Sequence, residues 1–120
     1  MMRNEDEKVL AGSVKTEQQI EEIIKQYTSK LLDLGVGVVR VILFGSYAKG
    51  HPREDSDIDL IVVSKDFEKM NIRERLEILG IASARIMQPI QAKGYTPYEM
   101  ESKDKDSFLT EVLEQSKNVA

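Results

Sequence analysis

Apolar positions along the chain change period several times, and each change predicts an element. Ile20, Ile23, Ile24, Tyr27, Leu31 and Leu32 recur at helical spacing behind a capping box, Thr16-Glu17-Gln18-Gln19, and Gly35 stands where a C-terminal cap belongs. The charged side of this helix (Glu21, Glu22, Lys25, Lys30) reads as a solvated face. Residues 38–44 are then apolar except for Arg40, which predicts a buried strand with Arg40 on its less covered face. A glycine-bearing turn over residues 45–50 and a polar, proline-containing loop over 51–56 lead to a second nearly continuous apolar run at 57–64.

Helical spacing returns at Asn71, which with Glu74 repeats the capping signal. Ile72, Leu76, Leu79, Ala82 and Ile86 trace one face, with Gly80 a mild interruption. A weaker third strand is expected over 88–95, with Pro89 near its start and a place toward a sheet edge. Thr96-Pro97-Tyr98-Glu99 carries an N-cap, a proline at the first helical position and a glutamate at the third, the marks of a short helix. After a charged connection at 101–106, Phe108, Leu109, Val112 and Leu113 predict a last helix over Ser107–Gln115. The first 15 residues have no sustained period and read as a flexible segment, leaving 16–120 as a single domain. This alternation predicts an α/β domain with a small mixed sheet and helices mainly on one face.

Composition narrows the function classes. At 120 residues the chain can bury one core, so a large acceptor is expected to be held by another subunit or protein. A net charge of −4 argues against direct nucleic-acid binding. The absence of cysteine excludes disulfides, thiolate metal sites and cysteine nucleophiles. No apolar run approaches the roughly 20 residues that span a bilayer, and the acidic start lacks a signal-peptide core, so no membrane association and a cytoplasmic location are expected.

The chemistry concentrates where the two apolar runs end and begin. Gly45 and Ser46 close the first, and after ten intervening residues Asp57 and Asp59 open the second, giving G-S-x10-D-x-D. Alternation along a strand puts the two aspartates on one face, roughly 6–7 Å apart, a spacing that divalent cations bridge. The Gly-Ser turn offers backbone N–H groups and a hydroxyl to a phosphate, with Gly45 allowing close approach. Lys49, His51 and Arg53 lie in the intervening loop and are candidate triphosphate contacts, Lys49 foremost. His51 is the chain's only histidine, which rules out a multi-histidine metal site within it. Tyr95 and Tyr98 are candidates for stacking on a base or for packing on the last helix.

The joint pattern of apolar strand, Gly-Ser, ten-residue gap, Ser-Asp-Ile-Asp-Leu and second apolar strand resembles the signature of the DNA polymerase beta-like nucleotidyltransferase superfamily. In particular it resembles the small prokaryotic members called minimal nucleotidyltransferases. The resemblance is most specific over residues 42–64 and implies a nucleotidyltransferase-like fold. It also implies Mg2+-dependent binding of a nucleoside triphosphate, ATP by preference, and transfer of its nucleotidyl group to an acceptor with release of pyrophosphate. By the same resemblance Gly45, Ser46 and Lys49 hold the nucleotide, while Asp57 and Asp59 are the catalytic, metal-binding pair. The expected partner is a helical protein of the HEPN type, of which such chains are antitoxins. Catalytic members carry a third carboxylate on a neighbouring strand, and there this chain offers Gln91, or failing that Gln88 or Pro89. An amide is neither a base nor a charged ligand. The competing expectation is therefore a non-catalytic interaction subunit that retains nucleotide or metal binding, or merely the fold.

Overall fold

The computed structural model describes residues 14–103, 105–115 and 117–118. Helix α1 (Glu17–Asp33) starts at the capping box: Thr16 Oγ1 accepts from Gln19 N, and Gln19 Oε1 accepts from Thr16 N. Strand β1 (Arg40–Phe44) runs into the short helix α2 (Gly45–Lys49), and the polar loop returns the chain into β2 (Ile58–Val63). A 3-10 helix over Lys65–Lys69 leads to helix α3 (Ile72–Ile86), then come edge strand β3 (Ile90–Tyr95), helix α4 (Pro97–Glu101), helix α5 (Ser107–Gln115) and the two-residue strand β4 (Lys117–Asn118).

Among the described residues the sheet order is β3-β2-β1-β4. β2 is antiparallel to β1 and parallel to β3, and β4 is antiparallel to β1, so the sheet is mixed, as expected. The two long helices cover one face. Val41, Leu43, Ile58, Leu60 and Val62 pack there against Ile24, Tyr27 and Leu31 of α1 and Leu79 and Ala82 of α3. Buried Tyr27 donates its hydroxyl to Leu79 O at 2.9 Å, which locks the two helices together, and burial pushes that phenol well above its ordinary range. On the opposite face Ile42, Ile61 and Val63 meet Met100, Leu109 and Val112 in a smaller cluster.

Several sequence expectations shift. The first strand begins at Arg40 rather than residue 38, and Val39 is half exposed. The second strand begins at Ile58, so Asp57 sits one residue before it, and Ser64 is the N-cap of the 3-10 helix instead of a strand residue. Leu32, Ile72 and Leu76 point outward although their spacing matches the packed stripes; α3 buries Arg75, Leu79 and Ala82 instead. Of the expected segment 1–15, residues 1–13 lie outside the described residues, while Lys15 N donates to the Tyr47 hydroxyl at 3.2 Å. No helix among the described residues is long and apolar enough to cross a membrane.

The inner frame depends on one arginine. Arg75 donates to the carbonyls of Phe67, Met70 and Gly94 and to both carboxylate oxygens of Glu99, the shortest contact being 2.8 Å. It thereby ties the 3-10 helix, β3 and α4 to α3. Gly94 has no room for a side chain, since a Cβ there would stand 2.7 Å from the Phe67 ring.

Candidate active site

The antiparallel register of β1 and β2 pairs Phe44 with Asp59. The turn that follows Phe44 is therefore held beside the residues that open β2, which brings the two halves of the G-S-x10-D-x-D pattern together. Gly45 has φ +76°, and a Cβ on it would collide with Asp59 Oδ2. The glycine is required twice: for a left-handed backbone and for the space that the Asp59 carboxylate occupies. Phe44, the residue before α2, has no side-chain acceptor for the first turn of that helix. The Ser46 hydroxyl makes no protein hydrogen bond among the described residues, while its carbonyl accepts from His51 N at 3.1 Å. Gly50 closes the turn in the left-handed region.

Asp59 is half-buried, and its carboxyl is pushed above the ordinary aspartate range by burial first and by the charge of Asp57 second. Two carboxylates that repel in a partly desolvated corner are stabilised by a cation. Among the described residues no cluster of three or more His, Cys, Asp or Glu side chains is placed to hold a metal. A two-carboxylate donor set fits Mg2+, which keeps several waters and takes further oxygens from phosphates.

The neighbouring strand places an amide beside Asp59. In the parallel β2–β3 pairing Asp59 is the register partner of Gln91, so their side chains leave the sheet on the same face, and Gln91 is exposed there. Gln91 is thus the β3 residue beside Asp59, and Gln88 and Pro89 precede the strand. Glu99, a nearby acid, is committed elsewhere. It closes the Thr96 capping box and pairs with Arg75; burial would raise its carboxyl, but the hydrogen bonds from Arg75 and Thr96 and the Arg75 charge together hold it below the ordinary range.

Lys49 at the end of α2 and His51 and Arg53 in the loop after it are exposed, and Arg53 N and Ser56 N close a local turn there. Tyr95 packs with the smaller apolar cluster, whereas Tyr98 is 79% exposed. Sequence reasoning missed the wall beside Asp59. Phe44 packs edge-on against Phe108 at 5.6 Å, and Lys93 lays its ammonium over the other ring, 4.1 Å from the Phe108 centroid. Lys93 is two residues beyond Gln91, and only the pairing of β2 with β3 could have brought it to this face.

The family model for the nucleotidyltransferase domain matches residues 17–116. The chain belongs to this family. A nucleotidyltransferase of Thermococcus cleftensis, protein adenylyltransferase MntA, is 38% identical over 81 residues, covering 61% of this chain and 78% of that protein. A Methanocaldococcus jannaschii protein with a provisional protein-adenylyltransferase name is 41% identical over 66 residues, covering 54% of this chain and 65% of its own length. The chain thus spans just under two thirds of that relative, and 39% of another from the same organism. Among solved structures, a toxin–antitoxin complex with AMP-PNP superposes with a TM-score of 0.57 at 22% identity, over 83% of this chain and 72% of that one. The complex of a tri-AMPylated Shewanella oneidensis HEPN toxin with its MNT antitoxin gives a TM-score of 0.53 at 19% identity, over 88% of this chain and 72% of that one. At these identities the structures support the nucleotidyltransferase fold, which agrees with the mixed sheet and the helix placement seen here.

Proposed function

We propose that this nucleotidyltransferase domain binds Mg2+ and ATP at the Gly45-Ser46 turn and the Asp57–Asp59 pair and transfers AMP to a hydroxyl on a partner protein. The observation that carries the reading is the placement of the Asp59 carboxylate against Gly45: the residues suited to phosphate and those suited to a cation form one corner. Gly45 and Ser46 hold the β- and γ-phosphates through backbone N–H groups and the free hydroxyl, with Lys49 available from the last turn of α2. Asp57 and Asp59 hold the metal ion, which when bound offsets charge on the triphosphate. The acceptor oxygen forms a bond to the α-phosphorus as the bond to the pyrophosphate oxygen breaks, and with an amide at Gln91 the hydroxyl proton leaves to solvent.

The partner is a helical HEPN-type protein, and the setting is the cytoplasm. Support comes from the relatives named protein adenylyltransferase and from the HEPN toxin described as tri-AMPylated in complex with its antitoxin. A second reading, a non-catalytic antitoxin that retains nucleotide and metal binding, is favoured by Gln91 standing opposite Asp59 with no third acid beside it among the described residues.

The test is incubation of the chain with a HEPN-type partner and ATP labelled at the α-phosphate. Label on the partner with release of pyrophosphate, lost in Asp59→Asn, is the expected result. Stable complex formation with label on neither protein would favour the non-catalytic reading.

A further inference from the structure

The groove between α3 and α4 is separate from the Gly45–Asp59 corner and has no role in the chemistry above. It encloses about 430 Å³. One wall is formed by Ile72, Leu76 and Tyr98, which are 72%, 50% and 79% exposed although all three are large and apolar or aromatic. The floor is the Gly94 backbone and the Arg75–Glu99 pair. Lys93 and Lys105 also line it.

The charges here are unequally used. Glu99 is held by Arg75 and by the Thr96 cap, and Asp106 accepts from Leu109 N at 2.7 Å as the cap of α5. Among the described residues neither Lys93 nor Lys105 has a carboxylate partner: Lys93 rests on the Phe108 ring, and Lys105 Nζ donates to the Ser102 carbonyl at 3.0 Å. Glu99 is offset by Arg75, which leaves Lys93 and Lys105 against Asp106 alone and gives the lining an excess of positive charge. An apolar wall beside an excess of positive charge complements a ligand with a large apolar side chain flanked by carboxylates. Ile72 and Tyr98 also stand well out into solvent, offering contact area beyond the enclosed volume, which fits a polypeptide segment better than a small molecule.

The groove adjoins the proposed catalytic face. Gln91 is the register partner of Asp59, and Lys93 lies two residues further along β3, about 6–7 Å at ordinary strand rise. From Asp59 the surface runs past Phe44 and Phe108 to Lys93 and into the groove. We infer that this groove docks an acidic-apolar segment of the acceptor protein and so positions the acceptor relative to Asp59. The inference rests on the transferase reading for its purpose, but the binding it asserts is measurable without nucleotide.

The probe is a pair of synthetic peptides of about a dozen residues, each with a central Leu-Phe, flanked by glutamates in one and by lysines in the other. They are titrated into the isotope-labelled chain and followed by amide chemical shifts. The glutamate peptide should move the amides of Gly94, Tyr98 and Glu99 and bind roughly three- to tenfold more tightly than the lysine peptide. Lys105→Glu should remove that preference, and Ile72→Ser should weaken both peptides. Both substitutions are at the surface and should leave Mg-ATP binding unchanged, whereas Asp59→Asn should leave peptide binding unchanged, so the groove and the nucleotide corner fail separately. Equal affinity for the two peptides, shifts centred elsewhere, no binding of either, or binding of a small aromatic carboxylate in their place would overturn the inference.

Discussion

Asp59 and Gln91 are register partners on adjacent parallel strands and project from the same face of the sheet. The proposed cation-binding carboxylate thus lies beside an amide that can neither accept a proton at neutral pH nor add negative charge. If transfer is limited by acceptor deprotonation, Gln91→Glu should raise the rate of AMP transfer by about 10²- to 10⁴-fold, the usual contribution of a positioned acid or base. Single-turnover kinetics with α-labelled ATP measures this. A Gln91→Glu variant no faster than the parent would place the base on another group.

Gly45 and Gly50 both have positive φ, but they differ in what surrounds them. A Cβ at Gly50 meets nothing, whereas one at Gly45 runs into Asp59. Gly50→Ala should therefore cost only the left-handed backbone, about 1–2 kcal/mol, and Gly45→Ala distinctly more, with loss of nucleotide binding as well. Urea denaturation of the two variants checks the order, and equal losses would contradict the contact between Gly45 and Asp59.

The Arg75–Glu99 pair gives stability a pH dependence. Because the folded-state carboxyl of Glu99 lies below its ordinary range, its contribution is present in full above the unfolded value of 4.5 and is lost as pH falls through the lower folded value. Glu99→Gln should destabilise the protein at neutral pH by roughly 0.5–1 kcal/mol, a modest figure because the carboxylate is partly solvated. The difference between variant and parent should shrink on acidification. Thermal unfolding across pH measures it, and a gap that widens toward acid would contradict the assignment.

The sequence made the local elements readable because their signals are local. Thr16, Asn71 and Thr96 each close the capping box that their spacing predicts, and Ile72–Ile86 and Ser107–Gln115 begin and end where the periodicity puts them. The 3-10 helix was not legible, since its one buried residue, Phe67, stands alone in a charged stretch. Nor was the two-residue β4, which is too short to have a period. Spacing showed which residues share a helical face but not how far the core extends under it, so the exposure of Ile72 and Leu76 at the start of α3 was missed. At the candidate site, one motif named Gly45, Ser46, Asp57 and Asp59, and the β1–β2 register brings its two halves together. The Phe44–Phe108–Lys93 wall was not legible, because it joins three elements distant in sequence.

The proposed chemistry requires that Asp57 and Asp59 hold a cation for a triphosphate clasped by Gly45 and Ser46. Calorimetric titration of ATP with and without Mg2+, on the parent chain and on Asp57→Asn and Asp59→Asn, tests this most directly. The prediction is tighter ATP binding with Mg2+ in the parent and no difference in either variant, with the far-UV spectrum unchanged. ATP binding that is the same with and without Mg2+ in the parent, or a Mg2+ effect that survives in both variants, would contradict it.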